Sequence, residues 1–242
     1  MLSVRVEVAL VEEDVRVWVA NAHRGRPLIG TITCRHEAHG PAPGVLLLHE
    51  VGGVNRSLRA IARAFAVEGY VVFTPDMYLG VQRPLVLARL ITGVALNPLR
   101  NQPLAELRAA MCALGARPDV DAARMGVIGY SMGAAYALQL ACVEASVRVA
   151  AVFCGQAPRP LAALRHACPV VGSYAGRDFT CRGIPTRLER ALTQYGIEHD
   201  LKTYHAAAHA FYDPWGPMYD EVAARDAWER TLKFMRDRLS RQ

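Results

Sequence analysis

Lysine is nearly missing: Lys202 and Lys233 are the only two among 28 basic residues, and the arginines are scattered from Arg5 to Arg241 without a dense run. A formal charge of +6 without a basic cluster gives nucleic acid no footprint, and no nucleic-acid-binding motif accompanies it. Long apolar runs are missing too. The most apolar later segment, Pro84 to Leu96, is broken by Arg89 and is too short to cross a bilayer. The N-terminus alternates apolar and polar residues and has four acidic residues by Asp14 (Glu7, Glu12, Glu13 and Asp14), unlike a secretory leader, so a mature chain is expected. The six cysteines (34, 112, 142, 154, 168, 181) form no CxxC pair and have no histidine at metal-ligand spacing. They read as buried free thiols in a reducing compartment, which predicts a soluble cytoplasmic protein. No internal repeat, low-complexity tract or linker divides the chain.

What remains is an ordinary globular composition. The 242 residues are 52% hydrophobic and 21% charged, which excludes extended disorder. A chain of this length buries enough surface to stand as a single domain over residues 1–242. Its opening 33 residues predict antiparallel strands, since Val4, Val6 and Val8, then Val15, Val17 and Val19, fall on period-two patterns. From residue 44 short apolar runs alternate with helical spacing. Strands are predicted at 45–49, 70–76, 125–129, 147–153, 169–175 and 197–204. Helices are predicted near 58–67, 104–114, 132–143, 185–195 and 218–239. This rhythm predicts an α/β fold, a mostly parallel sheet with helices on both faces. Its active site belongs at the carboxyl ends of the strands.

GYSMG (129–133) ends one such strand and opens a helix. Two glycines allow a sharp turn that lifts the Ser131 hydroxyl above the sheet, and the pattern arises by chance roughly 0.04 times in such a chain. The alternative is a Gly-rich turn whose serine caps the helix. A serine needs a base and an orienting acid, which in this architecture follow it in chain order, each beyond a strand. Asp178 in GRDFT stands in the acid's place; otherwise it is a turn aspartate bonding its own backbone. His209 in AAAHAFYDP stands in the base's place, with His205 as its rival. HEVGGVN (49–55) follows another strand, where an oxyanion-binding amide belongs, so the N–H groups of Val51 and Met132 are the expected donor pair. Glu50 ends the same strand. An unpaired charge there is costly, so it either pairs with an arginine or faces the active site.

HEVGGVN, EGYVVFTPDMYLG (68–80), GYSMGAA (129–135), YAGRDF (174–179) and AHAFYDP (208–214) together resemble the dienelactone hydrolase family of α/β-hydrolases, over about residues 15–240. The resemblance implies an α/β-hydrolase fold with Ser131, Asp178 and His209 as a triad, and it favours His209 over His205. Glu50 matches a family glutamate close to the nucleophile. It implies cleavage of a carboxylic ester, lactone or thioester with no metal or organic cofactor, by a monomer or homodimer whose partner is a small-molecule substrate. Two departures stand out. Well-known members use cysteine where this chain has Ser131, and they bind a substrate carboxylate through an arginine where it has Asp213. The second family arginine aligns loosely with Arg83. Uncharged substrates are therefore expected, with Arg83 or Arg177 the candidate cations if the substrate is charged after all. The segment 81–103 falls where such enzymes carry a lid, with Leu85, Leu87, Leu90 and Ile91 expected to line a channel; otherwise it packs on the sheet or makes a dimer contact. The non-enzyme alternative is a catalytically silent α/β-hydrolase-fold protein used for binding or regulation.

Overall fold

Residues 8–18, 27–37, 40–78, 83–96 and 99–240 are described by a computed structural model. The chain order is β1 (Leu10–Val17), β2 (Leu28–Arg35), β3 (Ala42–Leu48), α1 (Arg56–Val67), β4 (Val71–Pro75), α2 (Arg83–Leu96), α3 (Gln102–Gly115), β5 (Val120–Tyr130), α4 (Met132–Val143), β6 (Val147–Phe153), β7 (Val170–Ala175), α5 (Ile184–Gln194), β8 (His199–Tyr204) and α6 (Glu221–Leu239). The strands form one sheet in the order β1-β2-β4-β3-β5-β6-β7-β8. β1 and β2 pair antiparallel, β2 meets β4 antiparallel, and the remaining six strands run parallel. This is the α/β-hydrolase fold that the sequence implies.

The inner parallel strands β3 to β7 sit where continuous apolar runs predict them, because both of their faces are covered by helices, whereas the edge strand β8 is only half-buried. Val45, Leu46, Leu47 and Leu48 of β3 are fully buried, each contributing about 2 kcal/mol of transfer free energy. The edge strand β1 is mostly exposed. Its Glu12 and Glu13 pair with Arg63 and Arg117. The expected strand positions Val4, Val6 and Val19 lie outside the described residues, while Val15 and Val17 fall in β1.

Helix ends follow local chemistry. Asn55 caps α1 by accepting from Leu58 N, and Asn101 caps α3 by accepting from Leu104 N. α6 starts at Glu221, three residues later than predicted, because Asp220 accepts from Ala223 N and so fixes the first turn there. β5 is longer than predicted: it begins at Val120 and carries a register irregularity against β6 at Met125.

Within the segment 81–103, α2 occupies 83–96 and α3 starts at Gln102, and residues 81, 82, 97 and 98 lie outside the described part. Val86 and Leu90 of α2 are buried and Leu87 packs against the core, whereas Leu85 is exposed. The cysteines are unpaired, but only Cys142, Cys154 and Cys181 are buried. Cys112 is exposed, on the outer side of α3, and Cys34 and Cys168 are partly covered. Among the described residues no helix is long and apolar enough to cross a membrane.

Candidate active site

The carboxyl ends of β3, β5, β6, β7 and β8 converge, and each contributes to one site. Between β5 and α4 the chain reverses within Gly129–Gly133. Ser131 takes φ +52°, the left-handed region that side chains rarely adopt. Both glycines are demanded by space. A Cβ on Gly129 would lie 2.2 Å from the Gly133 carbonyl oxygen, and one on Gly133 would lie 2.5 Å from the Leu48 carbonyl oxygen. Ser131 makes no capping hydrogen bond to α4, which removes the helix-cap alternative. Its backbone N–H donates instead to the Phe153 carbonyl (2.8 Å), tying the turn to the end of β6.

The Ser131 hydroxyl is 2.8 Å from His209 Nε2, and His209 Nδ1 is 2.5 Å from Asp178 Oδ2. The second carboxylate oxygen of Asp178 accepts from Thr180 N (2.8 Å) and Thr180 Oγ1 (2.7 Å). Asp178 is therefore both things that its sequence position allowed, a turn residue and the partner of a histidine. Burial would raise its pKa, but the hydrogen bonds from His209, Thr180 and Cys181 outweigh that and hold it below the usual carboxylate range. The loops carrying Asp178 and His209 are laced together by Gly176 N to Tyr204 O (2.8 Å) and Arg177 N to Ala207 O (3.0 Å). His205 is exposed on that loop. A Cβ on Gly176 would lie 2.6 Å from its Cα, so only glycine lets the two loops close so far.

Val51 and Met132 stand beside the serine at the rim of the same cavity. The loop of Val51 is anchored from below. Tyr78 donates its hydroxyl to the Val51 carbonyl (2.6 Å), and Gly53 N donates to Glu50 O (3.0 Å). His49 is buried. Its Nε2 accepts from Met77 N (2.9 Å), so Nδ1 carries the proton and donates to Glu50 O (2.6 Å). The Glu50 carboxylate pairs with no arginine or lysine among the described residues, and it does not line the cavity. It accepts from Tyr212 Oη (3.0 Å) and Asn55 Nδ2 (3.3 Å). Of the two expected fates of Glu50, the arginine pair is thus replaced by two neutral donors, which connect the Val51 loop to the loop of His209.

The cavity is about 490 Å3 and open at one side; Val51, Ile91, Met132, Ala135 and Ala157 give it apolar walls beside Ser131 and His209. Of the four α2 residues expected to line a channel, Ile91 alone does so. Gln156 and Arg159 supply polarity. Arg159 makes no ion pair among the described residues. Sequence reasoning missed it because it lies in an irregular stretch after β6, with no motif around it. Arg177 does not reach this cavity, and the Arg83 side chain lies outside the described part. Asp213 is turned to Ser57 Oγ and to Trp215 N (2.9 Å), and it too is absent from the cavity wall.

Comparison with known proteins points to one family. The profile of the dienelactone hydrolase family matches residues 29–239. A "putative carboxymethylenebutenolidase" of Saccharolobus solfataricus is 28% identical, with 81% of this chain and 90% of that protein covered. A "probable 2-oxo-3-(5-oxofuran-2-ylidene)propanoate lactonase" of a Bradyrhizobium species is 25% identical over 90% of this chain and 93% of its own. Among solved structures, a dienelactone hydrolase-like promiscuous phosphotriesterase from metagenomic libraries superposes with a TM-score of 0.82. It covers 95% of this chain and 99% of its own at 21% identity, a likeness of fold.

Proposed function

The chain belongs to the dienelactone hydrolase family, and from that premise we propose that it cleaves a carboxylic ester, lactone or thioester through an acyl-enzyme on Ser131. The observation that carries this reading is the continuous chain of contacts from Ser131 Oγ through His209 to Asp178, at 2.8 and 2.5 Å. Ser131 attacks the carbonyl carbon while His209 Nε2 takes the hydroxyl proton. Asp178 orients the ring and stabilises the imidazolium. The amides of Val51 and Met132 receive the charge that develops on the carbonyl oxygen. His209 then returns the proton to the leaving group, and water releases the acyl part by the same steps reversed.

Relatives named for lactones that carry a carboxylate direct attention to Arg159, the one cation that lines the cavity among the described residues. Arg159 would offset the desolvation of such a group, while the apolar walls take the rest of the substrate. Lactones or esters with an anionic substituent are the proposed substrates in place of uncharged ones, an expectation that rested on Asp213 standing where the family has a carboxylate-binding arginine. In an Arg159→Ala variant, kcat/KM for an anionic lactone should fall about tenfold, a loss of about 1.4 kcal/mol, with a neutral ester of equal size barely changed. Equal losses on both would reject this assignment. The reaction itself is tested with a fluorophosphonate probe, which should label Ser131 alone and abolish hydrolysis. Labelling elsewhere, or none on folded protein, would overturn the serine hydrolase reading.

A further inference from the structure

Three strand ends deliver a second constellation that overlaps the first. Cys154 follows β6, Asp178 follows β7 and His209 follows β8. A thiol sulfur, a carboxylate oxygen and an imidazole nitrogen from these residues all lie within 4.8 Å of one another. Cys154 and Asp178 are buried and His209 is half-buried. Sulfur, nitrogen and oxygen together are the donor set of Zn2+, with bonds of about 2.3 Å to sulfur and about 2.0–2.2 Å to the others. A tetrahedral ion with those bonds holds its ligand atoms about 3.3–3.8 Å apart, so it enters by opening the 2.5 Å contact between His209 Nδ1 and Asp178 while the Cys154 sulfur stays within reach. An entry path exists, since Cys154 and His209 both line the open cavity. That cavity also leaves room for water in a fourth position. A hard octahedral ion such as Mg2+ gains nothing from a thiolate.

We propose that Cys154, Asp178 and His209 form an inhibitory site for Zn2+ or a similar borderline divalent cation. On binding, the Cys154 S–H bond breaks, its proton passes to solvent and a sulfur–metal bond forms; the proton between His209 Nδ1 and Asp178 moves to Nε2, which frees Nδ1 and the carboxylate for the ion and leaves Nε2 unable to accept the proton of Ser131. Asp178 and His209 spend on the ion the lone pairs that would otherwise hold and move the proton of Ser131. The ion and the hydrolytic chain compete for the same atoms. Binding stands independently of the hydrolase reading; only its inhibitory consequence rests on that reading.

The test uses the full chain in chelator-free buffer. Zn2+ is titrated by calorimetry, and Co2+ serves as a spectroscopic substitute whose thiolate charge-transfer band reports a sulfur–metal bond. The expected result is one Zn2+ per chain, a thiolate band with Co2+, and ester hydrolysis that falls with occupancy, returns with EDTA and ignores Mg2+. Cys154→Ala should lose the band and weaken Zn2+ binding roughly tenfold or more, and Asp178→Asn, which keeps the thiol, should weaken it similarly. Unchanged Zn2+ affinity in both variants, or no thiolate band in the parent protein, overturns the site. Zn2+ bound to an active hydrolase without inhibition overturns the inhibitory role. Tight binding by a protein without any hydrolysis leaves the site standing and removes the serine hydrolase reading instead.

Discussion

The turn at Gly129–Gly133 and helix α2 border one cavity, yet they are held in opposite ways. The turn is fixed by exclusion: neighbouring backbone leaves no room for a Cβ at either glycine, and Ser131 is forced to positive φ within five consecutive residues. α2 is held by a few distant side chains. Tyr136 donates its hydroxyl to the Leu90 carbonyl (2.9 Å), and Arg89 pairs with Glu106 at 3.0 Å, across 46 and 17 residues of sequence. Leu85 and Ile91 on the same helix remain exposed. Steric necessity among neighbours leaves a signature in the sequence. Docking by remote partners leaves none.

Changing each region in turn sharpens the contrast. The largest effect belongs to the turn. Ser131→Ala should lower kcat by about 10⁴–10⁶-fold with little change in melting temperature, and His209→Ala should match it. His205→Ala should stay within about twofold; a collapse there would reassign the base. Next comes Gly133→Ala, whose new Cβ meets backbone rather than a movable side chain. It should cost about 3 kcal/mol or more in denaturant unfolding, or prevent folding. A mild effect would show that the turn is less tightly specified than its contacts imply.

On the α2 side, Arg89→Ala strands the buried Glu106 carboxylate, which among the described residues keeps Gln102 Nε2 as a neutral donor (3.1 Å). Removing one partner of a buried pair costs about 3–5 kcal/mol. Since Arg89 is about a third exposed, about 2 kcal/mol is expected by thermal melt, with faster amide exchange across 83–96. The smallest effect is Ile91→Ala, which removes one exposed apolar wall. It should lower kcat/KM for a bulky acyl group about threefold and leave a short one unaffected. A larger loss would make α2 a main determinant of specificity rather than a border.

Legibility varied with the range of the forces involved. The buried strand runs and α4 were readable because hydrophobic period and glycine sterics act over a few residues, and Ser131, Asp178 and His209 stood at strand ends that this pattern locates. Helix α6 began later than its periodicity implied because a single capping aspartate, Asp220, decided the point. The fate of Glu50 was not readable: Tyr212, which binds it, is 162 residues away. Nor was Arg159, which acquires meaning only when the stretch beyond β6 is folded over the cavity.

By itself the sequence determined the layered α/β architecture, the sharp turn at Ser131 and the strand ends at which Ser131, Asp178 and His209 stand, since each depends on local periodicity, local sterics or connectivity. Tertiary structure alone decided that Asp213 turns away from the cavity, that Arg159 lines it, and that Cys154 meets Asp178 and His209 within 4.8 Å. No spacing rule along the chain joins residues 154, 178 and 209. Parallel strands whose ends lie side by side bring them together, because the hydrogen-bonded register of β6, β7 and β8 makes neighbours of residues that the sequence keeps far apart.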